Sequence, residues 1–556
     1  MRGRLVSVVI AMGVAAVVAA VGPATTGPAA MGAPVASTPP GWVLHAQRYG
    51  GSISAGVRAS LDPGVVAAKA AAKPAVVAAA AVTLPNVVMN DDSYPPLPQN
   101  ETAVAASTKN PMVAVAAAND YVSGGVVVMR TRDGGAHWTS TRIVPEFKPT
   151  GDFCNGGDPA VAYSRRDGVF FVSQLCFFRE LAHSEVQVFL SKDDGATWTA
   201  GREAARAAST WDYTTNTEDT TNFYDKEYIA VDNTPTSPRY GRLYVTYTKF
   251  HLLPSGFSDY CPIQLAYSDV VPAINPFLAT FAHVAVSPDN PGGNGKGPSA
   301  NQFSLPRVER SGALDVAFVQ EDCNSSLDAH LRFQKSTTGG ASFLPRSVVV
   351  EKPGQWKDNP DPGDILAPTA FRAPETESLA YSPRTGTLTY VVANSITKAT
   401  TGTNISYWRS HDGGLTWSDA QTLSTASAVA PGPAAPNDQF MPWVDATPSG
   451  KLYAIWFDRR RDPANRDIDT WQAVSTNDGR TWTTARISTA SWNPDRGFFT
   501  SGAFIGDYNG LAVNDSAVYP VWTDGRNNAI AQTGIGETDI VTNIETRLTP
   551  PARPTR

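Results

Sequence analysis

The chain has 556 residues, of which 42% are hydrophobic and 17% charged, with a formal net charge of −6. That balance allows a large apolar core and excludes wholesale disorder; the length excludes one ordinary compact core unless the architecture is a closed all-β one. The mild acidity argues against nucleic acid or an acidic membrane surface as partner and leaves a neutral, or locally recognised anionic, sugar open.

The N-terminus reads as an address. Arg2 and Arg4 form a short basic region, Leu5 to Val21 are almost wholly apolar or small, and small-residue exits stand near Ala24 and Ala30. This is the pattern of a secretory signal peptide, assigned to residues 1–30. A membrane anchor of roughly 20 residues is the competing reading, but the run is rich in Ala, Gly and Val, and small residues follow it. Residues 31–83 are dominated by Ala, Val, Pro and Gly and have no aromatic anchor after Tyr49. A helix is conceivable around Val65 to Ala72, ended by Pro74; a weakly ordered leader or linker is the expectation. Residues 84–548 then form the folded body, and 549–556 a tail.

An eight-residue pattern repeats through that body. Ser191 to Trp198 recurs as Ser410 to Trp417, as Thr131 to Trp138, and as Ser475 to Trp482 with Asn477 for Asp. Ser336 to Phe343 is a worn copy, with Thr338 and Phe343 in the Asp and Trp positions. Asp or Asn followed by Gly makes a tight turn, because the side chain can bond backbone amides and Gly accepts positive φ. Each copy lies between strand-like runs such as Val186 to Leu190 and Asn404 to Trp408, so it reads as a hairpin turn and not as a catalytic motif. The Asp positions are 133, 193, 338, 412 and 477, and the second gap is about twice the others, so one blade lacks a copy. That blade contains Tyr228 to Val231, Arg242 to Thr248 and Ile263 to Ser268. Phe504 to Val513, Ala517 to Trp522 and Asp539 to Ile544 form a further partial blade. The reading is an all-β propeller of six or seven four-stranded antiparallel blades, seven preferred, closed by a strand near Leu84 to Met89 that removes the exposed edge.

The repeat resembles the Asp-box (BNR) motif of sialidases and sialidase-like propellers, over roughly Pro85 to Leu548. In an up-and-down blade the repeats mark the turns between third and fourth strands, so a site belongs on the opposite face, at the loops after second strands and before first strands. The resemblance implies a glycosidase whose arginines clasp a sugar carboxylate bidentately, with a Tyr nucleophile, a Glu that activates it and an Asp acid–base. Loop placement nominates Arg179, Arg459 and Arg526 for the clasp, Tyr508 as nucleophile, Glu227 as its base, and Asp158 or Asp225 as the acid. Asp458, Asp507 and Asp524 complete the substrate-binding set. The family's Arg-Ile-Pro signature is absent: Arg142-Ile143-Val144-Pro145 carries an extra residue and follows the first repeat, so another exposed sugar is equally open. Two second strands end as Trp456-Phe457-Asp458-Arg459 and Trp522-Thr523-Asp524-Gly525-Arg526, which fit either a ligand site or Asp–Arg pairs locking the blades.

Four cysteines suit an exported protein, and of three pairings the one joining sequence neighbours, Cys154 with Cys176 and Cys261 with Cys323, is preferred. A zinc site is disfavoured, since no Cys-x-x-Cys spacing or His pair accompanies them. Asn324, Asn404 and Asn514 stand in glycosylation sequons. The aspartates between Asp358 and Asp364 suit a structural calcium ion, though a solvated loop is the plainer reading; no other cofactor is expected. The leading expectation is a secreted, monomeric glycosidase acting on terminal sugars of a carbohydrate or glycoconjugate, sialic acid among them, with no nucleic acid and no membrane after signal removal. The alternatives are a non-catalytic glycan- or protein-binding propeller and a structural envelope protein.

Overall fold

The computed structural model describes residues 39–49, 53–63, 84–91, 97–270, 275–287, 299–361, 364–496, 498–499, 502–526 and 536–544. The signal segment and the helix considered around Val65 to Ala72 lie outside them. Seven antiparallel sheets follow one another along the chain as blades 1 to 7, covering 99–143, 160–209, 222–285, 299–349, 378–422, 429–486 and 510–543. In blades 1 to 5 the first strand in sequence lies at the axis and later strands step outward; in blade 6 Gln439–Ala446 lies at the axis, and the short strand Val429–Ala430 that precedes it in sequence caps the outer edge beside Trp482–Arg486. Blade 7 takes its outermost strand from the other end of the chain: Asn86–Val88 pairs Asp539–Asn543, with Asn86 opposite Asn543 and Val88 opposite Val541. The expected seven-bladed ring and its closing strand are therefore present; blade 3, the one expected to have lost its repeat, does lack it, and so does blade 7, whose outer strand comes from Asn86–Val88.

Blades pack face to face, so both faces of a sheet are buried and its inner strands read as near-continuous apolar runs. Ala114–Asp120 is buried throughout. Between blades 1 and 2, Val115, Ala117 and Val128 meet Val161, Phe170 and Val172. Between blades 5 and 6, Val391 and Tyr407 meet Val444, Trp456 and Trp482. The small alanines of blade 1 let its sheet approach blade 7, where Tyr519 and Ile540 pack on Ala114 and Ala116.

The five repeats fold alike. In each, the leading Ser or Thr hydroxyl accepts the amide of the Gly four residues on, from Gly135, Gly195, Gly340, Gly414 and Gly479, at 2.8–3.0 Å. The Asp, Asn or Thr at the third position accepts the amide of the seventh residue at 2.8–3.0 Å. Trp138, Trp198 and Trp417 close the turn by donating their indole N–H to the Gly carbonyl, at 3.1, 3.2 and 3.1 Å. The Gly134 amide also donates to Met112 O at 2.9 Å, which places the turn between third and fourth strands beside the turn between first and second.

Both expected disulfides form, Cys154–Cys176 and Cys261–Cys323. Among the described residues no helix is long and apolar enough to cross a membrane. Two short helices precede the ring: Gly41–Arg48, whose Trp42 stacks on Phe223 at 5.1 Å and meets Phe177 edge-on at 5.4 Å, and Ala55–Ala59.

Candidate active site

The inner strands share a device that re-aims side chains at the axis. In blades 1, 3, 4 and 6 the pairing with the second strand slips by a bulge near its start, and a residue of positive φ sits in each bulge: Glu101 (58°), Lys226 (51°), Phe303 (60°) and Met441 (49°). Asp158 (54°) stands just before the inner strand of blade 2 in the same conformation. A bulge adds an unpaired residue and bends the strand. Non-glycine residues at positive φ carry local strain, which the surrounding fold must hold in place.

The result is a nest of buried carboxyl groups at one end of the axis, on the face away from the repeats. Glu101, Asp158, Asp225, Glu227 and Asp507 are all fully buried. Glu101 accepts the Asn119 side-chain amide at 2.6 Å and the Asp507 amide at 3.1 Å, while the Asn119 carbonyl accepts the Asp158 amide at 2.9 Å. Burial, then the neighbouring Asp158 and Asp507 carboxylates, hold the Glu101 carboxyl well above its ordinary range. Burial and Asp158 push Asp225 up to about 7 against the bonds it accepts. Glu227 is raised by burial and then by Asp158, and among the described residues neither of its oxygens meets a donor from another residue. Lys226 lies over the Tyr508 ring at 3.5 Å, and the Tyr508 hydroxyl donates to Pro159 O at 3.2 Å. Burial, with Glu101 and Asp158 adding to it, raises the Tyr508 phenol well above its usual range.

The nest is filled from the N-terminal side. The Ser54 hydroxyl donates to Asp158 at 2.6 Å and the Ser54 amide to Asp225 at 2.6 Å. Gln302 donates to the same Asp225 oxygen at 2.9 Å. Gly56 lies so close that an added Cβ would stand 2.7 Å from Glu101 Oε2, 2.9 Å from Asn119 Nδ2 and 3.4 Å from Asp158 Oδ1. Arg372 bonds Ile53 O at 3.3 Å and pairs with Asp507 at 3.6 Å and Asp364 at 3.8 Å. Beyond Tyr228 and Trp443, whose rings are 5.4 Å apart, the other end of the axis opens as a cavity of about 510 Å³ that also presents Arg307 and Asp445.

Of the residues nominated from sequence, Asp158, Asp225, Glu227, Asp507 and Tyr508 come together here. Arg459 and Arg526 do not, and Arg179 lies at the rim of the nest. Arg526 is bidentate to Asp524 (2.9 and 2.6 Å) and reaches Asn86 Oδ1 at 3.1 Å, at the seam of blades 6 and 7. Asp458 is held by Arg460 at 2.6 Å and by the Trp456 indole at 2.8 Å, an arrangement that Trp522, Asp524 and Arg526 repeat. Arg459 is fully buried between Phe371 and Phe440, bonding Asp438 at 3.4 Å; burial brings its guanidinium down to about 10. Arg179 lines a small crevice with Asn119, Gly156 and Ser60, and burial lowers its pKa. Asp361 bonds Lys398 at 2.6 Å and Asp364 faces Arg372, so these two aspartates meet different cations. Cys176, His183 and Glu185 converge as a metal-type cluster, but the Cys176 sulfur belongs to its disulfide.

Sequence reasoning missed Glu101, Arg372 and residues 53–60. Glu101 had a signal, an acid at the start of the first inner strand; Arg372 lies in the long connection to blade 5; residues 53–60 lay in the supposed leader.

The chain is thus a closed seven-bladed β-propeller with a carboxylate nest at one end of its axis. It matches no protein-family model and no curated protein. Among solved structures it is similar to a protein of unknown function from Dyadobacter fermentans (TM-score 0.42, 10% identity, covering 72% of this chain and 97% of that one). It is also similar to the GH93 alpha-L-arabinofuranosidase of Fusarium graminearum (0.42, 10%, 84% and 100%). A third is the intramolecular trans-sialidase of Ruminococcus gnavus (0.36, 12%, 81% and 96%).

Proposed function

We propose that the protein is an exported glycoside hydrolase of the Asp-box, sialidase-like kind, acting by carboxyl chemistry on terminal neutral sugars. The observation that carries this reading is the joint placement of Glu101, Asp158 and Asp225. Glycoside hydrolysis needs one carboxyl group kept protonated to give its proton to the leaving oxygen, and a second to act as nucleophile or base. Environments that push neighbouring carboxyl pKa values apart supply that pair. Glu101, whose carboxyl burial and then the neighbouring Asp158 hold well above its ordinary range, supplies the acid. Asp225 titrates near neutrality, where a general base is most effective. One serine touches both Asp158 and Asp225. Both carboxylates therefore lie within reach of one small group.

Two observations favour this route over a tyrosine nucleophile and a sialic acid substrate. The Tyr508 hydroxyl donates to a backbone carbonyl and its pKa is raised, where a nucleophile calls for the opposite. Arg459 and Arg526 are bonded elsewhere, so the three-arginine clasp is not assembled from the nominated residues. Export, a single-chain state and a glycan partner belong to the same proposal; two disulfides suit an oxidising compartment.

A panel of fluorogenic glycosides, neutral sugars beside sialoside, tests it against Asp158→Asn, Asp225→Asn and Tyr508→Phe. The expected result is turnover of a neutral glycoside, reduced at least about 100-fold in either Asp variant and little changed in Tyr508→Phe. Sialoside turnover abolished by Tyr508→Phe would restore the tyrosine route. No turnover of any glycoside by folded protein, even with residues 53–60 displaced, would favour a glycan-binding propeller.

A further inference from the structure

Residues 53–60 occupy the nest without belonging to the ring. They pair with no blade strand, and the ring is closed downstream of them by Asn86–Val88. Yet Ile53, Ser54 and Val57 are almost completely buried on the axis. Their polar contacts go to ionisable side chains: the two Ser54 donors bond Asp158 and Asp225, Ile53 O accepts from Arg372, and the Arg58 guanidinium faces Asp507, Asp364 and Asp225. Two donors delivered to these two carboxylates fill the gap between them that a sugar would have to enter. Gly56 leaves room for this approach, since any side chain there meets Glu101 and Asn119.

We infer that residues 53–60 are an internal occupant of the site, with Ser54 standing between the two carboxylates where the sugar must enter, so that the folded protein is latent until this segment is displaced. The inference rests on the glycosidase reading above. The nearby helix Gly41–Arg48 keeps the segment tethered by seating Trp42 against Phe177 and Phe223. A tethered competitor acts at an effective concentration of about millimolar, enough to hold back a sugar of ordinary affinity while leaving release reversible.

Two full-length variants test this. Ser54→Asp sets a third carboxylate against Asp158 and Asp225, and Gly56→Leu forces a side chain onto Glu101; both leave the blades and the Trp42 anchor untouched. Hydrogen exchange of the amides of residues 53–60 reports displacement, and kcat/KM on the glycoside panel reports the site. The expected result is faster exchange in both variants with kcat/KM raised at least about tenfold. Unchanged exchange, or faster exchange with unchanged or lower turnover of a glycoside that wild type already hydrolyses, overturns the inference while the hydrolase reading stands. If no protein turns over any glycoside, the hydrolase reading fails, and calorimetry with free galactose and arabinose decides the occupancy question. Binding gained by Ser54→Asp sustains an internal occupant of a sugar site; no binding to either variant overturns it.

Discussion

At the scale of single residues, the carboxyl nest sets a pH dependence of unusual sign. Asp225 titrates near 7 in the folded protein, with burial the first cause and Asp158 the second, against about 3.9 for a free aspartate. Between those values the folded state binds a proton that the unfolded chain has already lost, so stability falls as pH rises. The stabilisation is fully present below about 4 and is lost as pH passes 7; Glu101 and Glu227, both raised, act in the same direction. The repeat aspartates act in a separate window. In Asp193 and Asp412 burial is outweighed by hydroxyl and amide donors, which bring them to about 2, so they matter only under strong acid. Urea midpoints at pH 5, 6, 7 and 8 are therefore expected to decline steadily. Asp225→Asn, which cannot ionise, should be more stable than wild type at pH 8 by roughly 2–4 kcal/mol and should show a shallower decline. A wild type more stable at pH 8 than at pH 6 would refute this account of the nest.

Elements carry the next level of explanation, and the repeated turn is its clearest case. In Ser410–Trp417 the Asp412 carboxylate gathers the Ser410 hydroxyl, the Thr416 amide and the Thr416 hydroxyl at 2.8, 2.9 and 2.6 Å. The copy at Ser475 does the same work with an amide: Asn477 takes the Thr481 amide at 3.0 Å and gives its own N–H to the Thr481 hydroxyl at 2.8 Å. Asp412→Asn should therefore cost less than about 1 kcal/mol, and Asp412→Ala about 2 kcal/mol, since each exposed bond contributes roughly 0.5–1.5 kcal/mol. Equal losses in thermal melts of the two variants would show that the turn does not depend on this side chain. The same local logic explains what could be read before the structure. A turn that bonds within eight residues is visible as a motif, so the blade count, the closing strand near Leu84 to Met89 and the face opposite the repeats all followed from it. Asp158, Asp225, Glu227, Asp507 and Tyr508 were legible as polar residues at the starts of inner strands. The arginine clasp was not, because whether Arg459 and Arg526 face a ligand or bond their neighbours depends on long-range packing. Residues 53–60 were illegible for a related reason: a five-residue helix has no periodicity to detect, and its burial is supplied wholly by the ring around it.

For the whole molecule the decisive contact is the joint between chain ends. The outer edge of each blade stays short and protected, and in blade 7 it is Asn86–Val88, from the other end of the sequence, that supplies this outer strand. Asn86 does more than pair. Its side chain donates to Ile487 O at 2.9 Å and accepts from the Thr489 amide at 2.6 Å and from Arg526 at 3.1 Å, so one residue ties the first ring strand to blade 6 and to the Arg526–Asp524 pair of blade 7. Asn86→Ala removes these bonds in a buried setting and leaves donors without partners, a loss of about 2–4 kcal/mol. Because the loss falls at the joint, it should loosen Asn86–Val88 from Asp539–Asn543 and bare a strand edge able to pair with another chain. Thr422→Ala is the control, since Thr422 lies on an outermost strand, Gln421–Thr422, that closes nothing. The expected outcome is a lower melting temperature for Asn86→Ala with association that grows with protein concentration in light scattering, and neither effect in the control. Equal behaviour of the two variants would mean that the ring is held by face-to-face packing alone and that the terminal strand is dispensable.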